Sequence, residues 1–215
     1  MNKLSIRNFS PYDEDDDFSS NTYVIGLKNN PCIIIDAGCF NNSLIEHINH
    51  VHGGKVAVII ITHGHFDHLN KLSLFHKKYP NTPIYISKKD EPLLSDAYLN
   101  GSKSFGMNII APVPHLIFKD DDELGIANLK IRFILTPYHT LGSACIYLEE
   151  YSIMFSGDSL FAHGGIGRYD LPHADAQKIS SSLKKILSYP NNVIVYPGHG
   201  EPTSIEEAKR YLPNL

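Results

Sequence analysis

The chain has 215 residues, 42% of them hydrophobic, and a formal net charge of −4. That length supports one substantial core, so a single domain over 1–215 is expected, and the absence of a basic excess argues against a nucleic-acid partner. Three cysteines, Cys32, Cys39 and Cys145, lie in or beside apolar runs, which predicts inert core thiols in a reducing compartment and no disulfide framework. Met1 to Arg7 lacks the apolar stretch of a signal peptide, and no later window approaches the ~18 apolar residues of a membrane span, so a cytoplasmic location without membrane contact is expected.

In chain order, Leu4 to Phe9 reads as an edge strand and the acidic run Asp13–Asp17 as a solvated loop. Asn21–Leu27 and Cys32–Asp36 predict a hairpin that ends on a carboxylate. Ser43–Val51 has helical spacing with Leu44, Ile45, Ile48 and Val51 inward, and His47, His50 and His52 are expected on the surface. Val56–Ile61 is β-branched throughout most of its length and reads as a strand buried on both faces.

That strand runs straight into Thr62-His63-Gly64-His65-Phe66-Asp67-His68. Side chains two apart on an extended segment share a face, so His63 and His65 can share one ion, with Gly64 expected to keep the approach open. Asp67 and His68 fall at a strand-to-helix turn, where neighbouring side chains diverge and can serve a second ion. Uncoordinated, such polar groups at the end of a hydrophobic strand would each leave about 1 to 3 kcal/mol of unmet hydrogen-bonding demand.

Leu69–Tyr79 then predicts a helix, Pro83–Ile86 a strand, Lys88–Leu99 a further helix and Asn100–His115 a loop. Strands are expected at Leu124–Asn128 and Leu129–Thr136, then a hairpin from Cys145–Glu149 and Tyr151–Ser156. Gln177–Leu187 is amphipathic, Val193–Tyr196 reads as a buried strand, and Ser204–Tyr211 opens on the capping-box pair Ser204 and Glu207. His139, Asp158 and His199 each stand, like the central cluster, just past a strand.

His63-Gly64-His65-Phe66-Asp67-His68, Thr136-Pro137-Tyr138-His139-Thr140, Gly157-Asp158 and Pro197-Gly198-His199-Gly200 together resemble the metallo-β-lactamase superfamily. The resemblance covers almost the whole chain. It implies an α/β fold, the four-layer αβ/βα sandwich of two mixed sheets with outer helices. Carried over position by position, it implies His63, His65 and His139 on one metal, Asp67, His68 and His199 on the other, Asp158 bridging, and Asp36 supporting the histidines from behind. Within the superfamily, Gly165–Pro172, Tyr196–Gly200 and Tyr211–Leu215 look most like the short bacterial type of glyoxalase II, which hydrolyses S-lactoylglutathione and related thioesters. Tyr138 and Leu141 depart from the Gly and Pro common in that branch, which puts Tyr138 at the expected mouth of the site. Tyr138, Arg168 and Tyr169 are the candidate substrate contacts.

The activity so implied uses two divalent ions to lower the pKa of a shared water toward neutrality, with Asp67 orienting the resulting hydroxide. A thiol of pKa near ~8.5 then leaves as thiolate without a dedicated acid. Zinc is the first expectation, and iron or manganese suit the same His and carboxylate ligands. The partner is a small-molecule thioester, and the oligomeric state is left open. The rival readings are a persulfide dioxygenase with one iron on two His and an Asp, a phosphodiesterase or nuclease of the same superfamily, and a non-enzymatic metal-dependent binding module.

Overall fold

The computed structural model describes residues 3–10, 19–111 and 113–214, so the acidic run Asp13–Asp17 lies outside the described residues. Among them, strands β1 (Leu4–Phe9), β2 (Thr22–Leu27), β3 (Cys32–Ile35), β4 (Val56–Ile60), β5 (Ile84–Ser87) and β6 (Leu116–Phe118) form one sheet in that order. Strands β7 (Glu123–Ile126), β8 (Leu129–Leu135), β9 (Ala144–Leu148), β10 (Ile153–Gly157), β11 (Ile194–Pro197) and β12 (Thr203–Ser204) form the second. Both sheets are mixed: β3, β4, β5 and β6 pair in parallel, β10 pairs in parallel with β11, and the remaining neighbours are antiparallel.

The period-2 alternation of strands dictates the layers. On β2 to β4, Tyr23, Ile25, Ile33, Ile35, Val58 and Ile60 point to one side, where they meet Ile131, Phe133, Ile146 and Phe155 of the second sheet. The intervening Val24, Ile34 and Ile59 point the other way, against helices α1 (Asn42–His52) and α3 (Leu72–Lys78). On the second sheet, Cys145, Met154 and Val195 face away from the first and pack under α4 (Ile179–Leu187) and α5 (Ile205–Tyr211). Helices therefore cover both outer faces, and the αβ/βα sandwich stands as expected.

Local chemistry sets the element ends. Asn41 caps α1 by accepting the Leu44 N–H at 2.8 Å, and Gly53 ends it at φ 61°. Ser204 caps α5 through the Glu207 N–H at 3.1 Å, but the Glu207 carboxylate takes the Thr203 hydroxyl instead of closing the box. The cysteines are buried, and burial pushes the Cys32 and Cys145 thiols up to about 12.

Four expectations need correction, and one strand was not foreseen. The helix expected from Leu69 to Tyr79 is broken: a single turn, α2 (Phe66–Leu69), precedes α3. The break follows from docking, since Ala37 N–H donates to the His68 carbonyl and Lys71 N–H to that of Ala37, pinning the segment to the exit of β3. Lys88–Leu99 holds only a 3-10 turn at Glu91–Leu94, because Pro92 has no N–H to give and Asp96 captures the Tyr98 and Leu99 amides in a local turn. The short strand β6 was not anticipated; its Phe118 stacks on Phe133 with ring centroids 4.2 Å apart. Strand β11 is not buried on both faces, for Ile194 is 40% exposed beside the two-residue edge strand β12. His52 is buried, not superficial, with Nδ1 3.0 Å from the Asn30 carbonyl.

Candidate metal centre

Five strands end on one rim of the sandwich, and each delivers part of a polar cluster. Asp36 follows β3, His63 to His68 follow β4, His139 follows β8, Asp158 follows β10 and His199 follows β11. The Ala144 N–H donates to the Thr62 carbonyl at 3.0 Å, which ties the two sheets together beside the site. A rigid edge is thus what holds the donor atoms.

The donors fall into two groups: His63, His65 and His139 in one, and Asp67, His68, Asp158 and His199 in the other. In the first, His65 Nδ1 lies 2.8 Å and His63 Nε2 lies 3.1 Å from His139 Nε2. In the second, His199 Nε2 is 3.0 Å from Asp67 Oδ2, and His68 Nε2 is 3.3 Å from Asp158 Oδ1. Asp158 spans both, with Oδ2 3.4 Å from His139 Nε2 and 3.6 Å from His199 Nε2.

The tautomers follow from the far ring nitrogens. His139 Nδ1 donates to the Arg168 carbonyl at 2.6 Å, so its Nε2 lone pair faces inward. His68 Nδ1 donates to Asp36 Oδ2 at 2.9 Å. Thr62 gives its hydroxyl proton to Asp36, leaving its oxygen to accept from His63 Nδ1 at 3.2 Å. Asp36 thereby orients His68 directly and His63 through Thr62, the support such ligands require.

This donor set fits cations. Lone pairs of His63 and His139 converge at 3.1 Å with no proton left to share, and the buried His68 Nε2 and Asp158 Oδ1, 3.3 Å apart, have no hydrogen-bond partner beyond each other. Burial, then neighbouring imidazoles, holds His63 well below its ordinary value and takes His65 down to about 3, so both are neutral ligands. Burial works against the charged forms in the second group too, yet the mutual field overrides it. Asp36, Asp67 and Asp158 raise His68 well above the usual value, Asp158 and Asp67 raise His199, and the imidazoles lower both carboxylates. The lobe is built for positive charge.

A cavity of about 380 Å³ opens onto the cluster, lined by His65, Asp67, His139, Asp158 and His199 together with Phe66, Phe105, Phe161, Ile166, Gly167, Arg168 and Leu171. Arg168 lines the cavity, and its carbonyl accepts from His139. Tyr169 is 51% exposed and does not line the cavity. Tyr138 is not at the mouth: it is fully buried, with its hydroxyl against the Asp158 and Ser159 carbonyls at 3.0 and 2.8 Å and the Gly167 N–H at 3.2 Å. It braces the loop that carries Asp158. Gly64 does not keep the approach open either, since a Cβ there would meet Leu93 Cβ at 2.6 Å. Gly198 has that role, because a Cβ would collide with Asp158 Oδ1 and lie 2.6 Å from His68 Cε1.

One residue escaped the sequence reading. Asp90, fully buried after β5, accepts the Gly64 N–H at 2.8 Å, the Thr140 hydroxyl at 2.6 Å and the Gly142 N–H at 2.7 Å. It joins the loop of His63 and His65 to that of His139. The signal was present: like Asp36 and Asp158, it is a carboxylate at a strand exit.

A two-sheet sandwich with paired His/Asp donor groups at one rim defines a class of metal-dependent hydrolases. The profile described as "Metallo-beta-lactamase superfamily" matches residues 15–199, and the chain belongs to that superfamily. It is 33% identical over 189 residues to "Probable metallo-hydrolase YqgX" of Bacillus subtilis (strain 168), covering 86% of this chain and 87% of that one. It is 31% identical over 201 residues to "Hydroxyacylglutathione hydrolase GloC" of Haemophilus influenzae, covering 92% and 93%. Among solved structures, the BLEG-1 B3 metallo-beta-lactamase superposes with a TM-score of 0.85 at 28% identity over 97% of this chain and 98% of its own. TTHA1623 in a di-iron-bound form gives 0.79 at 29% identity over 98% and 100%. No described helix is long and apolar enough to cross a membrane.

Proposed function

We propose that the protein is a dinuclear hydrolase that cleaves thioesters, either S-lactoylglutathione or a related thioester. Support for two ions comes from the division of seven donors into two groups around Asp158 and from the likeness to a di-iron protein. When bound, the ions supply an acidified water and an electrophilic charge for the developing oxyanion. His63, His65, His139, Asp67, His68, Asp158 and His199 hold them, and the same His and carboxylate ligands suit zinc, iron or manganese. Asp67 accepts a hydrogen bond from the attacking water and orients it, a role supported by its position on the cavity wall.

The observation that carries the substrate class is what the cavity wall lacks. Apart from the ligand residues, the described lining holds one titratable side chain, Arg168, which stays protonated and cannot serve as a general acid. An alkoxide or amide nitrogen leaving group needs a proton, whereas a thiolate does not. The 31% identity to GloC over most of both chains points the same way. The likeness to BLEG-1 supports a second reading, β-lactam hydrolysis, in which the departing nitrogen would draw its proton from water.

The test is a panel on metal-reconstituted protein: S-lactoylglutathione, other thioesters, lactones, β-lactams and phosphodiesters. Thioesters are expected to give the highest kcat/KM, with Asp67→Asn lowering kcat by about 10²- to 10⁴-fold. Preference for phosphodiesters or β-lactams overturns the reading.

A further inference from the structure

We infer that the thiol half of the substrate is an uncharged, apolar chain, so that glutathione is not the thiol this site selects. The inference rests on the thioester reading above and concerns which thioester. Phe66, Phe105, Phe161, Ile166 and Leu171 form the wall beside the metal ligands. The cation among them, Arg168, is paired in an exposed fork: Nε and Nη2 meet Asp170 Oδ1 and Oδ2 at 2.9 and 2.8 Å, and the guanidinium carbon lies 6.0 Å from the centre of the Phe105 ring. A bidentate fork of this kind uses the geometry that would otherwise receive a substrate carboxylate. No lysine, serine, threonine, asparagine or glutamine is among the described lining residues.

Glutathione brings two carboxylates, an ammonium and two peptide units. Polar groups taken out of water need partners, and this wall offers aromatic and aliphatic carbon. An alkyl or aryl thiol needs none. Every methylene it buries strengthens transition-state binding about fourfold, until the cavity is filled. The reacting carbonyl sits at the ligand end of the cavity, where His65, His139, Asp158 and His199 line it, and the departing thiol extends along the carbon wall.

The experiment keeps the acyl group constant and varies the thiol. Lactoyl thioesters of glutathione and of methane-, propane- and pentanethiol are compared on the metal-reconstituted protein. A matching set of uncleavable S-alkyl thioethers is titrated calorimetrically into the metal-free protein. The expected result is a kcat/KM that climbs about fourfold per methylene, thioether affinities that climb in parallel, and a glutathione thioester at the bottom of the series. Phe105→Ala is expected to flatten both slopes. Asp170→Asn, which releases the Arg168 guanidinium, is expected to lower the KM for the glutathione thioester specifically.

A glutathione thioester preferred over the pentanethiol one, or rates and affinities independent of chain length, overturns the inference while leaving the thioester reading intact. Failure to cleave any thioester, with another ester class turned over, overturns the thioester reading. A length-dependent thioether affinity would then still show that the cavity takes apolar chains.

Discussion

Asp90→Ala tests whether the centre is held by a buried carboxylate that touches none of the proposed ligand atoms. The substitution removes the acceptor of the Gly64 N–H, the Thr140 hydroxyl and the Gly142 N–H, all at 2.6 to 2.8 Å and all buried. Each stranded donor costs about 1 to 3 kcal/mol, and partial entry of water into the vacated space favours the lower end, so the sum is about 3 to 5 kcal/mol. For a chain of this size that corresponds to a fall in Tm of roughly 6 to 20 °C. Because a bound metal compromises two-state unfolding, the measurement is guanidinium unfolding of chelated protein followed by circular dichroism. Thr140→Val gives the partner arm of a double-mutant cycle. The two changes should be clearly sub-additive, since the second removes a donor that the first has already stranded. Gly64 lies between His63 and His65, and Thr140 follows His139, so loosening both loops should also weaken metal binding, by about 10- to 100-fold as for other groups that orient ligands. A loss of stability below about 1 kcal/mol, or additive single changes, would refute the claim that Asp90 joins the loops.

Tyr138→Phe should cost about 1 to 2 kcal/mol, because the Asp158 and Ser159 carbonyls lose a donor and the Gly167 N–H an acceptor, while KM for any substrate is unchanged. A shift in KM without a loss of stability would return Tyr138 to the mouth of the site. His173 faces Asp90 at 3.4 Å and the Lys89 carbonyl at 2.9 Å, and the Asp90 hydrogen bond raises it above its ordinary 6.5. A raised folded-state value favours the charged form, so its contribution is complete below pH 6.5 and drains away as pH climbs through the raised value. The stability difference between wild type and His173→Gln, measured from acid to alkaline pH, should shrink toward alkaline pH, and a gap that widens instead would invert the sign.

Elements whose formation depends on local pattern were legible in the sequence. The β-branched run Val56–Ile61, the hairpins and the amphipathic α1 and α4 carry their own periodicity, so burial could be read from spacing. Most of what failed depends on contacts between distant segments, Lys88–Leu99 with its local Pro92 and Asp96 turn being the exception. Nothing around Leu69–Tyr79 reveals that Ala37 takes the helix bonds at its start, and nothing around Asp90 reveals Gly64, Thr140 and Gly142 as its partners. Tyr138 was misplaced for the same reason, since an aromatic beside a ligand histidine looks alike in sequence whether it faces the cavity or the core.

Asp36 shows how much of the rule of strand-exit carboxylates is physical. It is held at φ 60°, in the left-handed region that a non-glycine residue enters at a cost of roughly 1 to 2 kcal/mol. What offsets that cost is the set of partners its carboxylate gathers: the Thr62 N–H and hydroxyl at 2.8 Å each, and His68 Nδ1 at 2.9 Å. Asp36→Gly relieves the backbone and abolishes the partners, whereas Asp36→Asn tolerates the backbone and swaps one acceptor for a donor. If orientation of His68 is the purpose, both variants bind metal about 10- to 100-fold more weakly by competition titration. The glycine variant would lose less stability than three stranded partners alone would imply, since relieved strain returns part of it. Unchanged metal affinity in Asp36→Asn would instead mean that shape, not charge, is what the position supplies.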